Sequence, residues 1–200
     1  MFHADIDQAI LCLRELQSAD GLHFLESASQ LLIETFQNGR KIIIAGNGGS
    51  LCDAAHFAEE LTGFFHKKRP PLPAIALTEP GHITCVGNDV GFDEVFARGV
   101  EAYGQPLDVF VALTTSGNSE NLYRALTRAK ERGLKTIAFL GKGGGRMKGL
   151  ADLEWIVGSA STSDRIQEVH MAAIHMMIKA VEERMFFQSS AEHISHAAAR

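Results

Sequence analysis

His56 and Glu60 are the residues whose types and spacing point most directly to chemistry. Four residues apart on a helix, an imidazole and a carboxylate share one face, one turn from each other. Such a pair can hold a metal ion, divide proton-transfer work, or stand in solvent as an ordinary ion pair. Cys52 lies one turn further back and would extend the pair to a metal-binding trio, although a lone cysteine more often packs as a small apolar residue. Just ahead runs Gly46-Asn47-Gly48-Gly49-Ser50, preceded by the β-branched residues Ile42, Ile43 and Ile44. Strand, glycine-rich turn and helix start in that order turn free N–H groups and a helix dipole toward one point, a site suited to phosphate. It is not a dinucleotide fingerprint, because Leu51 takes the third glycine position. Nor is it a P-loop, since no lysine follows the glycines.

Two later stretches offer related chemistry. Thr114, Thr115, Ser116 and Ser119 put four hydroxyls between a strand and a helix start. One hydroxyl suffices to cap a helix, so four favour a second phosphate-binding loop. No G-x-S-x-G elbow is present, so a serine-hydrolase role has no support. The last helical stretch carries Asp164, Gln167, His170 and His175. His170 falls on the apolar stripe of Ile166, Val169, Ala173 and Met177 and reads as a core or interface histidine. Gln167 and His175 fall off that stripe on a shared side, about two turns apart, where they could reach a site together.

The elements that must position these residues follow from periodicity. Residues about 4–18, with Ile6, Ile10 and Leu13 at helical spacing, predict a first amphipathic helix. Residues about 22–38 predict a second, closed by Gly39 as a C-cap glycine. Strands are expected at about 41–45, 74–77, 108–113, 135–140 and 152–157. Helices are expected at about 50–63, 92–103, 122–129 and 162–187. Residues 87–89 read as loop, and residues 141–145 as a glycine-rich loop. The tail from about 190 to 200, with His193 and His196, reads as disordered. Alternating strands and helices predict an α/β fold with a parallel sheet covered on both faces. The 200 residues fit a single domain of that kind, and the helical segment at about 1–38 exceeds what it needs, which suggests packing against a neighbouring subunit.

Composition narrows the function classes. Hydrophobic residues make up 46%, charged residues 22%, and the net charge is −5. That balance, without a long Lys/Arg run, argues against nucleic acid as partner. The densest basic patch, His66 to Arg69, is short and reads as a solvated loop or a substrate-phosphate contact. Three cysteines without paired spacing suggest reduced thiols and a cytoplasmic setting. The first residues lack the basic and apolar regions of a signal peptide, and no apolar run reaches the ~18 residues a membrane span needs.

Taken together, G-N-G-G-S at 46–50, C-D-A-A-H-F-A-E-E-L-T-G at 52–63, G-N-D-V-G-F at 87–92, T-S-G-N-S at 115–119 and D-R-I-Q-E-V-H at 164–170, followed by Ile174-His175, resemble the sedoheptulose 7-phosphate (phosphoheptose) isomerases of the sugar-isomerase (SIS) superfamily. The resemblance runs from about residue 25 to about residue 185, and it is the order of the motifs rather than any one of them that makes it specific. It implies a three-layer α/β/α sandwich on a five-stranded parallel, flavodoxin-like sheet and a homotetramer with active sites between subunits. It implies conversion of sedoheptulose 7-phosphate to D-glycero-D-manno-heptose 7-phosphate, the first step of bacterial ADP- or GDP-heptose biosynthesis.

By the same resemblance, Asn47, Gly48, Gly49, Thr114, Thr115, Ser116 and Ser119 would meet the sugar phosphate, and Asn88 and Asp89 the sugar chain. His56, Glu60, Gln167 and His175 match metal ligands, usually for zinc, one ion per subunit. Glu60 and His175 match the proton-transfer pair, and Asp164 a supporting position. Thr114 replaces a common Ser with its hydroxyl intact, and Phe64 stands where some relatives carry Arg. A non-catalytic sister group, phosphosugar-binding proteins associated with the replication initiator, shares the glycine loop but lacks Glu and His at positions 60 and 175.

Overall fold

The computed structural model describes residues 2–187; the expected disordered tail, with His193 and His196, lies outside the described residues. Two helices, α1 (Phe2–Arg14) and α2 (Ala19–Gln37), precede the sheet. Gly39, at φ +66°, closes α2 in the left-handed conformation that a C-terminal glycine supplies. There follow β1 (Ile42–Gly46), α3 (Gly49–Thr62), β2 (Ala74–Ala76), α4 (Pro80–Asp89), α5 (Val95–Tyr103), β3 (Val109–Leu113), α6 (Glu120–Glu131), β4 (Lys135–Gly141), β5 (Leu153–Val157) and α7 (Ser163–Glu182).

All strand pairs are parallel, in the order β2-β1-β3-β4-β5. β1, β3 and most of β4 are buried, which explains their near-continuous apolar runs. Successive side chains alternate between faces. Ile42, Ile44, Val109, Val111 and Phe139 point into one core layer with α1, α2, α3 and α7. Ile43, Ala45, Phe110, Ala112 and Ala138 point into the other, with α4, α5 and α6. The result is the expected three-layer α/β/α sandwich.

The strand order reverses between β1 and β3. The chain leaves β1 to build β2 on one side and returns to add β3, β4 and β5 on the other. Gly46 pairs with Leu113 at the last rung, so the loops after β1 and β3 emerge side by side. In open parallel sheets that crevice, outside the carboxyl ends of the strands, is where ligands bind.

One local reading needs correction. Gly87, Asn88 and Asp89 are not loop but the last turn of α4. Pro80 at the first helical position and Glu79, whose carboxylate accepts from the amides of Gly81 (2.9 Å) and His82 (2.5 Å), start this helix firmly enough to carry it through Gly87. No helix among the described residues is long and apolar enough to cross a membrane.

Candidate active site

The crevice contains a cavity of about 180 Å³ lined by Asn47 and Ser50, by Thr114, Thr115, Ser116 and Ser119, and by Ser163 and Gln167 at the start of α7. Three helix N-termini, those of α3, α6 and α7, open at it. Their unpaired N–H groups and dipoles favour an anion there. Gly48, at φ +57°, turns the chain into α3. At Gly49 a Cβ would lie 2.6–2.8 Å from the Gln167 amide, so a side chain there would push Gln167 away.

The hydroxyls of Thr114, Thr115 and Ser116 are spent on the loop itself and on α7, not on capping α6. Ser119 is the N-cap residue of α6, yet its hydroxyl makes no capping bond. Thr114 Oγ1 accepts from the Gly117 amide (3.2 Å), and Ser116 Oγ from the Asn118 amide (3.2 Å). Thr115 and Ser163 share a hydroxyl–hydroxyl bond of 3.0 Å. Across the cavity, Asn47 and buried Asn121 exchange two amide hydrogen bonds of 2.9 Å, which tie the loop after β1 to α6. Sequence reading missed Asn121 and Ser163. Their partners lie 74 and 48 residues away, beyond any periodic signal.

Beside the cavity α3 meets α7. His56 Nε2 stands 3.0 Å from Glu60 Oε1, the expected one-turn pair. His175, from α7, brings its Nε2 to 3.3 Å from His56 Nε2 and 3.7 Å from Glu60 Oε2. One ligand atom from each of these residues lies within 4.8 Å of the others. Ligands about 2.1 Å from a tetrahedral ion are separated by roughly 3.4 Å, so this spacing fits a zinc-type site. Glu60 Oε2 is buried without a hydrogen-bond partner, an orphaned acceptor that a cation would satisfy.

Gln167 lines both the cavity and, with His175, the neighbouring groove, and its amide donates to Ser50 at 3.4 Å. Cys52 is exposed and stands outside the trio. Asp53, one turn before His56, was not singled out from sequence. It lines the groove with Gln167 and His175, one carboxylate oxygen is buried without a partner, and burial raises its pKa to about 6 against the pull of His56.

Asp164 is exposed on the groove rim, and its carboxyl is held below the usual range chiefly by a hydrogen bond with Thr162. Asn88 and Asp89 are exposed, bonded to each other at 2.7 Å, and line neither cavity nor groove within this chain. His170 is fully buried on the sheet side of α7, donating to the Leu140 carbonyl at 3.1 Å, and burial drops its pKa to about 4. It is a core histidine.

The basic loop is neither a plain solvated loop nor a phosphate contact where it matters most. Arg69 is buried, and its Nε donates to Glu182 Oε1 on α7 at 2.9 Å. Its other N–H groups donate to the carbonyls of Glu60, Leu61, Gly63 and Pro70. Glu182 also accepts from the amides of Phe65 (2.8 Å) and His66 (3.0 Å). This clamp fixes the end of α3 to α7 and lays the Phe65 ring parallel to His175, 5.4 Å away. Phe64 is exposed.

An anion cradle at the switch point of a parallel sheet, next to two helices that share an acid–base trio, defines a SIS-domain protein. Residues 6–141 match the SIS domain family. The phosphoheptose isomerase of Fusobacterium nucleatum is 51% identical over 84% of this chain and 86% of its own length. That of Vibrio cholerae is 46% identical over 92% and 97%. The solved structure of a phosphoheptose isomerase from Francisella tularensis superposes with a TM-score of 0.86 at 33% identity, covering 91% of this chain and 96% of that one. The Neisseria gonorrhoeae enzyme superposes with a TM-score of 0.83 at 35% identity, covering 91% and 97%. The chain belongs to the phosphoheptose isomerase family.

Proposed function

We propose that this isomerase converts sedoheptulose 7-phosphate to D-glycero-D-manno-heptose 7-phosphate. The observation that carries the reading is the meeting of Glu60 from α3 with His175 from α7 beside a hydroxyl-lined cavity at three helix N-termini. The phosphate occupies the cavity, against Asn47, Gly48, Gly49, Thr114, Thr115, Ser116 and Ser119. The reacting carbons lie over the trio. Glu60 removes a proton from C1 while His175 gives one to the C2 carbonyl oxygen, which leaves an enediol. Glu60 then returns its proton to C2 as His175 takes the hydroxyl proton at C1, and the aldose results. Binding energy gathered at the phosphate aligns the distant carbons with these groups.

His56, Glu60, Gln167 and His175 would hold a zinc ion. Such an ion supplies Lewis-acid polarisation of the carbonyl and order among its ligands. The reading carries with it a homotetramer in which Asn88 and Asp89 of one subunit reach the sugar in a neighbour's site. Exposed Phe2, Ile6 and Ile10 on α1 support subunit packing. Free cysteines and the absence of an apolar span among the described helices agree with a cytoplasmic setting. A pure phosphosugar-binding protein has no use for Glu60 and His175 held in mutual reach, and that alternative is not favoured.

The decisive experiment is a direct assay on sedoheptulose 7-phosphate, with metal analysis of the purified protein by mass spectrometry. Aldose product and stoichiometric zinc are the expected results. A protein that binds the sugar phosphate but returns it unchanged would refute the isomerase reading, and full activity without metal would refute the ligand set.

A further inference from the structure

The ten residues that line the phosphate cavity are neutral. A phosphate near pH 7 carries close to two charges, and hydroxyls and amides alone must neutralise it. Among the described residues, the side-chain cation bonded to this lining is Lys142. Its ammonium donates to Ser163 Oγ at 3.3 Å, and Ser163 in turn bonds Thr115 Oγ1 at 3.0 Å. Lys142 also sits at φ +50°, a left-handed backbone conformation that favours glycine and that its neighbours Gly143, Gly144 and Gly145 supply freely. A lysine there gains nothing locally.

Its position is nevertheless fixed. Gly141 packs so closely that a Cβ would meet Ile166 at 2.7 Å and the Thr115 carbonyl at 2.8 Å. A Cβ on Gly145 would meet the Ser116 carbonyl at 2.5 Å and the Asn118 amide oxygen at 2.6 Å. The amides of Arg146 and Met147 donate to Asn118 Oδ1 and the Gly117 carbonyl, both at 3.1 Å. Arg146 itself is engaged elsewhere, against Glu120 and over the Tyr123 ring. The glycine-rich turn is thereby bolted to the hydroxyl loop, and Lys142 is held at the cavity rim.

We propose that Lys142 is a positioning residue for the substrate's phosphate, and that it swings from Ser163 onto a phosphate oxygen when substrate binds. This rests on the reading of the cavity as the sugar-phosphate site. The test compares wild type with Lys142→Met, Lys142→Arg and Lys142→Gly. It measures kcat, KM for sedoheptulose 7-phosphate, competitive inhibition by inorganic phosphate, and Tm. Lys142→Met should raise KM and the phosphate inhibition constant about fivefold to tenfold, with kcat lowered less than twofold, as loss of a partly exposed charge-assisted contact does. Lys142→Arg should restore most of the affinity. Lys142→Gly should bind as weakly as Lys142→Met yet melt at or above the wild-type Tm, since glycine relieves the left-handed backbone; a merely structural lysine would lower Tm instead. Unchanged KM and unchanged phosphate inhibition in Lys142→Met, beside a wild type that phosphate does inhibit, would overturn the assignment and leave the cavity reading standing. A wild type that turns over but ignores phosphate would overturn both.

Discussion

Glu182→Leu should destabilise this protein by about 3–5 kcal/mol, the usual consequence of removing one partner from a buried ion pair. Glu182 is 2% exposed and Arg69 8%. Without the carboxylate, the guanidinium stays buried with no counter-charge, and the amides of Phe65 and His66 lose their acceptor. For a chain of this length the loss corresponds to a fall in Tm of about 6–20 °C. The double variant Arg69→Met/Glu182→Leu removes both charges and should lose less than the sum of the two single changes, by about 2 kcal/mol or more. Urea unfolding followed by circular dichroism, on the four members of the cycle, measures both quantities. The pH dependence has a definite sign. Burial works to raise the Glu182 carboxyl, but the two amides and Arg69 hold it below its ordinary 4.5. Its contribution is therefore complete above pH 4.5 and is lost as pH falls through the lowered folded value. Glu182→Leu should lack that acid limb. A single change costing under about 1 kcal/mol, or a strictly additive cycle, would refute the clamp as the joint between α3 and α7.

His170 gives an independent pH signature. Its pKa falls from 6.5 unfolded to about 4 folded, so its stabilising contribution is whole above pH 6.5 and lost between 6.5 and 4. The total is about 3 kcal/mol. Going from pH 7 to pH 5, the urea midpoint should fall further in wild type than in His170→Phe, the opposite contribution of Asp53 being common to both. Glu60→Gln should keep the fold but lower kcat at least ~100-fold, the lower range for a lost general base; wild-type turnover in that variant would remove Glu60 from the chemistry. Ile6→Glu/Ile10→Glu, on the exposed apolar face of α1, should reduce the mass seen by light scattering, and an unaltered mass would exclude that face from subunit packing.

The parts of the fold that were legible in the sequence share a physical cause. β1, β3 and β4 are covered on both faces, so their sequences are apolar runs that only a buried strand explains. The His56–Glu60 pair was legible because helix geometry alone makes residues four apart neighbours. What stayed hidden depends on contacts across the chain. A pair 113 positions apart, like Arg69 and Glu182, leaves no local trace, and a short basic run in isolation resembles a solvated loop. Asn88 and Asp89 misled in the opposite sense. Gly87-Asn88-Asp89 carries turn chemistry, and the stronger signal, Pro80 behind a capping Glu79, lay seven residues upstream.

The candidate site has two ends, the cavity and the His56–Glu60–His175 trio. The cavity that the proposed reading gives to the phosphate is set by backbone, where strand register and three helix N-termini fix it. The trio is set by side chains on α3 and α7, two helices that the Arg69–Glu182 clamp ties together. One helix connects the two. Gln167 and His175 stand about two turns apart on α7, and Gln167 lines both the cavity and the groove that holds His175. On the proposed reading, a sugar anchored by its phosphate in the cavity would have to reach the trio to lay its carbonyl carbon against Glu60 and His175. A shorter sugar phosphate would then fill the anchor but leave its reacting carbons out of line, and misalignment on the scale of one ångström is enough to cost two orders of magnitude in rate. On the proposed reading, selectivity for a long sugar would follow from the separation of the two ends, without dedicated recognition of each hydroxyl.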